Sequence, residues 1–402
     1  MEDRFIVGVN YWPRERAAAW LGEFDASAVE RDVSLLAEYR FDVVRIFLLW
    51  EEFQPKPSAV STRTLSHLVE IAEMAGEAEL HLLPTFFTGH AMGVNWLPPW
   101  MLEGGEGDGE FPLFCQGDVQ KAVVRNFYAE REIWKAQKLL IREVTGALQG
   151  HPAIWGWDLG NEPSNMVWPP AKDMARAWLE EMVTELKCRD ERLPVTLGLH
   201  QEDLEEDRLL GPEEAARFCD VLSMHVYPAH ATWSDGPLDE KVPLFVGLVT
   251  RWLGGKDVII GELGHSTERP KGALRESDRE ARGEIFLASA EEESQYLHEA
   301  LELLRGYGFP GAMARSFWDY DPSLWSNIPF DERVQERFCG LFRWDGSPKP
   351  AADVIQQFPR ERKESAGPPS WIDVDRREFW ASPREHLVRM YGRYREMAVP
   401  GR

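Results

Sequence analysis

The chain alternates between short, nearly unbroken apolar runs and longer stretches in which apolar residues recur every three or four positions. The unbroken runs lie at 5–12, 41–50, 79–87, 153–161, 194–200, 220–227, 257–263 and 311–318. Each has the length of a strand, and the lack of polar alternation marks strands covered on both faces. The three-to-four spacing at 28–39, 64–75, 124–148, 172–187, 291–305 and 351–358 predicts helices that cover them. Eight such units imply an α/β fold of the (β/α)8 TIM-barrel type. A doubly wound sheet usually has fewer strands and a phosphate-binding loop. The glycines at 104–109 have G-x-G spacing but follow no strand and sit among acids, so they are not read as a phosphate cradle.

The barrel accounts for residues 1–358. Residues 360–369 are charged and contain proline, which reads as a linker. Residues 371–397 mix aromatics with charges and predict one or two helices packed on the barrel. The extension, 359–402 in all, is too short and polar for an independent carbohydrate-binding module.

In a barrel of this kind the chemistry sits at the C-terminal strand ends, and polar and aromatic residues recur there. The fourth run ends Trp157-Asp158-Leu159-Gly160-Asn161-Glu162-Pro163, where Pro163 stops the strand. The seventh ends Ile259-Ile260-Gly261-Glu262. Two carboxylates at two strand tips are the minimum equipment for glycoside hydrolysis, although each Glu alone reads equally well as a structural ion-pair partner. The first run ends Asn10-Tyr11-Trp12, and the eighth Ser316-Phe317-Trp318. Arg45 is a cation inside an apolar strand and needs a carboxylate partner, Glu262 or another acid at the barrel mouth. The spacing of His225 and Tyr227 puts both on one face of the sixth strand. A single His or Trp at such a place is usually packing; the recurrence over five strands favours a site.

The formal charge of −23 over 402 residues argues against nucleic acid as a partner, since phosphate binding needs clustered Lys and Arg. It leaves a neutral carbohydrate unaffected. No apolar run is long enough for a membrane span, and Met1-Glu2-Asp3-Arg4 leads into the first strand without a signal-peptide pattern. Cys115, Cys188, Cys219 and Cys339 lack CxxC spacing and read as reduced thiols. The simplest expectation is a cytoplasmic enzyme. The histidines show no HxH or HExxH spacing, so neither metal nor cofactor is expected, and a metal-dependent hydrolase is disfavoured.

Together these residues resemble glycoside hydrolase clan A, most closely family 5, over roughly residues 5–358. The resemblance rests on Asn161-Glu162-Pro163 on strand four, Glu262 on strand seven, Arg45 on strand two, His225 with Tyr227 on strand six and Trp318 on strand eight. His90, just after strand three, matches the family's histidine in that region. The resemblance implies a retaining β-glycosidase with Glu262 as nucleophile and Glu162 as acid/base, their carboxyls about 5–5.5 Å apart. It implies that Asn161 binds the sugar 2-hydroxyl and that Trp318 offers its ring face to the sugar. Arg45 and Tyr227 are expected to favour ionised Glu262, and apolar, tryptophan-rich surroundings to keep Glu162 in its acid form.

The loop after strand three, residues 88–120, is long enough to be functional. Its Trp96 and Trp100 are expected to wall one end of the cleft, with 103–110 as a mobile tip; Trp168 and Trp233 are further candidate sugar platforms. The substrate expectation is a short β-mannoside or β-glucoside. An endo-acting mannanase or glucanase and a non-catalytic sugar-binding barrel are the alternatives. Oligomeric state is not legible in the sequence.

Overall fold

The computed structural model describes residues 4–397 except 20, 106, 108, 268–285, 365, 366 and 368. Eight parallel strands close into a barrel in sequential order. They are β1 Ile6–Tyr11, β2 Val43–Leu49, β3 His81–Thr88, β4 Trp157–Asn161, β5 Val195–His200, β6 Leu222–His225, β7 Val258–Leu263 and β8 Gly311–Ala314. Six are buried throughout, β3 all but its first residue and β7 all but Glu262, the condition that produces unbroken apolar runs.

The helices around it are α1 Ala26–Glu38, α2 Thr62–Glu77, α3 Arg131–Ala147, α4 Lys172–Lys187, α5 Pro212–Ala215, α6 Val242–Gly254, α7 Ala290–Gly306 and α8 Pro350–Gln357. Side chains fix several of their starts: Asp25 caps α1, Ser61 caps α2, and Ser289 with Glu292 forms a capping box on α7. Helix α6 has no readable stripe in the sequence because nearly all of its residues are buried. Phe245 explains this: the helix packs on the barrel while Phe245 meets Trp371, Tyr391 and Tyr394 from the far side. Those rings belong to the C-terminal extension, whose helices are α9 Arg376–Ala381 and α10 Pro383–Met397.

The first part of the charged stretch after residue 358 is a strap across the barrel floor rather than a free linker. Phe5 N–H donates to the Arg360 carbonyl at 2.8 Å, Arg360 pairs with Asp42 at 3.0 Å, and Arg362 pairs with Asp257 at 2.6 Å. Above that floor, Ile6, Val43, Leu83, Ile259 and Met313 fill the barrel interior, packed against Trp155. The polar site rests on this apolar layer.

Two sequence expectations are corrected here. The eighth run breaks at Arg315: β8 ends at Ala314, and Ser316–Trp318 turns away to pair with Gly340–Phe342. The long loop is not structureless, since His90–Ala91, Val94–Trp96, Leu113–Cys115 and Asp118–Gln120 form a four-stranded sheet. Within the tip expected at 103–110, residues 106 and 108 lie outside the described residues. Among the described residues no helix is long and apolar enough to cross a membrane.

Candidate active site

The deepest polar layer is built around Arg45. Its Nε donates to Asp158 at 2.9 Å and to Thr85 at 3.0 Å, and its Nη2 lies 2.7 Å from Asp158. One Nη donates to Asn10 at 3.1 Å and to Glu262 at 2.9 Å, the other to Asn161 at 2.9 Å. Arg45 thus meets both an acid inside the barrel, Asp158, and one at the mouth, Glu262. Glycine at 198 makes room for this network, because a Cβ there would stand 2.9 Å from the Arg45 guanidinium and 3.0 Å from His225 Nε2. Glycine at 261 is required for the same reason, with Ser223 Oγ at 2.3 Å and His225 Cδ2 at 2.9 Å from the position a Cβ would take.

Both glutamates sit where the ladder is irregular. The β6–β7 register shifts between Met224 and His225, so that His225 faces Glu262, and the β4–β5 register shifts before Asn161. Such irregularities re-aim side chains at the rim of a barrel. Glu162 itself adopts φ 46°, ψ 55°, a left-handed conformation costly for a residue with a Cβ and typical of strained functional positions. Pro163 then starts the turn Pro163–Asn165, which returns the Asn165 amide to Glu162 Oε2 at 3.0 Å.

The outcome is a carboxylate pair. One carboxylate oxygen each of Glu162 and Glu262 and one ring nitrogen of His225 lie within 4.8 Å of one another, a closeness that suits the about 5–5.5 Å carboxyl separation of retaining enzymes better than the 6.5–9.5 Å of inverting ones. Glu262 receives Arg45 on Oε1 and the Tyr227 hydroxyl on Oε2. Burial, reinforced by the Glu262 charge, pushes the Tyr227 pKa well up, so the phenol keeps its proton and remains a donor. The three residues could in principle face a divalent cation. However, a guanidinium 2.9 Å from Glu262 repels one, and the set reads as a carboxylate dyad rather than a metal centre.

The surroundings of Glu162 differ from the sequence expectation. Burial alone pushes its pKa up, but the His225 hydrogen bond at 2.7 Å, with charge on His225, His200 and His90, outweighs burial and holds the carboxyl well below the usual range. The tryptophans near it in sequence do not surround it. Trp157 and Leu159 pack in the outer core, away from the barrel axis, while Asp158 faces it.

The cavity above the pair measures about 430 Å³, within the range of small-ligand sites, and is lined by Asn10, Trp12, His90, Asn161, Glu162, Tyr227 and Glu262 among others. Trp12 stacks on Phe47 at 4.6 Å and 10°. His90 is held by Asn95 at 2.7 Å, with Nε2 3.7 Å from Glu162. Asn161 accepts from Arg45 and donates to the His90 carbonyl at 2.9 Å. His225 reaches Glu162 from below and is fully buried.

Trp318 does not line the cavity. Its strand leaves the barrel, its indole donates to Asp32 at 3.0 Å, and its ring packs against Phe317 and Phe342 under the Arg14 guanidinium. Trp96 is likewise internal, donating to the Ala91 carbonyl at 3.0 Å and packing on Phe114. Trp100 faces Trp50, away from the pair, and Trp233 packs on Phe245 and Tyr391. The wall of the long loop is made instead by Met92, Gly93 and Phe111. Arg333, from the segment after β8, reaches across to them, with its guanidinium 5.7 Å from the Phe111 ring and packed on Gly93.

Sequence reasoning did not single out Asp158, Asn165, Phe111 or Arg333. Asp158 had a signal, an acid inside an apolar strand as anomalous as Arg45. Phe111 and Arg333 had none, because two distant segments bring them together.

No protein-family model and no curated protein matches the chain. Solved structures match its fold. The exo-beta-1,4-mannosidase Op5Man5 from Opitutaceae bacterium strain TAV5 superposes with TM-score 0.70 and 21% identity, over 88% of this chain and 59% of that one. The chain therefore spans less than two thirds of that protein. GH5_18 from Streptomyces cattleya in complex with GlcNAc gives TM-score 0.76 and 18% identity, over 99% and 92% of the two chains. A Glu-to-Ala variant of the same enzyme, in complex with Manb1-4GlcNAc, gives 0.74 and 18%, over 98% and 92%. These neighbours are family 5 enzymes of glycoside hydrolase clan A, the group the sequence resembles.

Proposed function

We propose that the chain is a retaining β-glycosidase in which Glu262 is the nucleophile and Glu162 the acid/base. The observation that carries this reading is the carboxylate pair itself: two strand-tip glutamates within 4.8 Å, with Glu262 fixed on both oxygens by Arg45 and Tyr227. Those two donors aim the Glu262 carboxyl into the cavity, placed to attack an anomeric carbon. Glu162 stands opposite, on the side where the leaving oxygen departs.

The proton for the leaving group belongs to the Glu162–His225 pair, whose Oε1 and Nδ1 are 2.7 Å apart. In the free cavity the His225 contact holds Glu162 as the carboxylate. A bound sugar that expels water lowers the local dielectric and favours the uncharged form, with the proton on Glu162. Once the glycosyl-enzyme has formed and the leaving group has gone, Glu162 is again a carboxylate and takes the proton of the attacking water. Asn161, beside Arg45, is placed to meet the sugar 2-hydroxyl.

We favour release of a single terminal sugar. Arg333, from the segment after β8, meets Phe111, from the loop after β3, across the cavity, which blocks a polymer from running through. A β-mannoside is the preferred substrate class, supported by the mannosidase and Manb1-4GlcNAc descriptions of the structural neighbours. The test is a panel of aryl β-glycosides differing only in sugar configuration, with the first-formed anomer followed by NMR. The β-mannoside should be cleaved fastest and release the β-anomer first. Initial release of the α-anomer would sink the double-displacement scheme, and a rapid viscosity drop on mannan would sink terminal release.

A further inference from the structure

A second cavity, of about 760 Å³, adjoins the catalytic one and shares Glu110, Phe111 and Asn165 with it. It lies on the Glu162 side, where the leaving group departs, and it is larger than the cavity that holds the reacting sugar. Its wall carries Trp168, whose side chain is one of the few large apolar groups left open to solvent, at 41% exposure. An indole face beside a polar cavity suits the apolar face of a pyranose ring.

The same wall is wired to the acid/base. The Arg208 guanidinium sits 5.6 Å from the Trp168 ring. Its Nη1 donates to Asn165 Oδ1 at 3.2 Å, and Asn165 Nδ2 donates to Glu162 Oε2 at 3.0 Å. Because Arg208 has donors only, it fixes the amide so that the NH2 faces Glu162. The residue that orients Asn165 therefore packs over the Trp168 indole.

Resting on the glycosidase reading, we propose that this second cavity binds the second and later sugars of the leaving group, making the true substrate a trisaccharide or longer. Arg208 acts as a positioning residue that conveys this occupancy to Glu162. Binding energy from a remote part of the substrate then appears in kcat as well as in KM.

The experiment compares a p-nitrophenyl β-glycoside, a β-linked disaccharide and a β-linked trisaccharide, all ending in the same sugar. In the wild type, kcat/KM for the trisaccharide should exceed that for the disaccharide by about tenfold or more. Trp168→Ala should bring that ratio close to unity, and Trp168→Phe should restore most of it. Arg208→Gln frees the Asn165 amide, so the Glu162 carboxylate loses a donor and the pH profile of kcat on the trisaccharide should move upward. A merely structural role for Arg208 would leave that profile in place. A wild type with no preference for the trisaccharide, or a ratio unchanged in Trp168→Ala, overturns the proposal while aryl glycoside turnover keeps the glycosidase reading intact. Loss of all turnover on all three substrates in the wild type overturns both.

Discussion

Arg45 meets Asp158 at 2.7 Å on the floor of the catalytic cavity, both side chains 1% exposed. The same guanidinium holds Glu262 and Asn161, so a buried ion pair on two neighbouring layers of the barrel sets the aim of the site. Desolvating both charges is costly, and five hydrogen bonds around the guanidinium offset that cost.

Arg45→Met should therefore destabilise the protein by about 3–5 kcal/mol, chiefly by leaving Asp158 buried and unpaired. Denaturant unfolding measures this, and Asp158→Leu added to it should recover much of the loss. A double variant no more stable than Arg45→Met would show that Asp158 is not the source of the penalty.

The two carboxylates should separate by chemistry. Glu262→Ala should abolish turnover, with azide rescue giving the α-glycosyl azide by single displacement. Glu162→Ala should still form the glycosyl-enzyme from an activated aryl glycoside, and azide should then give the β-azide. Products reversed between the two variants would exchange their roles.

Tyr227→Phe removes one donor from Glu262 without opening a cavity. A hydrogen bond to a charged group is worth about 1.5–3 kcal/mol, so kcat/KM should fall by about 10- to 100-fold at unchanged thermal stability. A stability loss without a rate loss would make the phenol structural.

The two tryptophans should part company. Trp318→Ala removes a core ring and should cost about 3–5 kcal/mol of stability. Trp12→Ala acts at the cavity wall and should chiefly raise KM. The converse pattern in steady-state kinetics and thermal melts would return Trp318 to the sugar site.

Glu293 provides a pH test of the fold. Burial pushes its pKa up to about 8, against the opposing pull of the His265 N–H, Lys349 and Arg315. The folded state therefore holds a proton that the unfolded chain releases above its ordinary value of 4.5. Stability contributed by that proton is complete below 4.5 and is lost as pH rises to about 8, at about 1.4 kcal/mol per pH unit. Unfolding of wild type and Glu293→Gln compared across that window should show the slope in the wild type only.

The sequence by itself determined the barrel, because strands buried on both faces must be apolar throughout while the helices that cover them repeat every 3.6 residues. It also determined which carboxylates stand at strand tips, since Pro163 stops one apolar run just after Glu162 and the other run ends at Glu262. Arg45 announced a buried partner for the same reason: an unpaired guanidinium does not survive in a core. Tertiary structure decided what depends on distant segments meeting. Trp318 left the site because residues 316–318 found pairing partners at 340–342. Glu162 sits among histidines from the loop after β3, from β5 and from β6 rather than among its own tryptophans. Helix α6 lost its stripe because the C-terminal helices cover its outer face. Local pattern fixes what each segment is, through backbone geometry and the exclusion of water. Only the closed fold fixes which side chains face one another, and charge state, cavity shape and specificity follow from that.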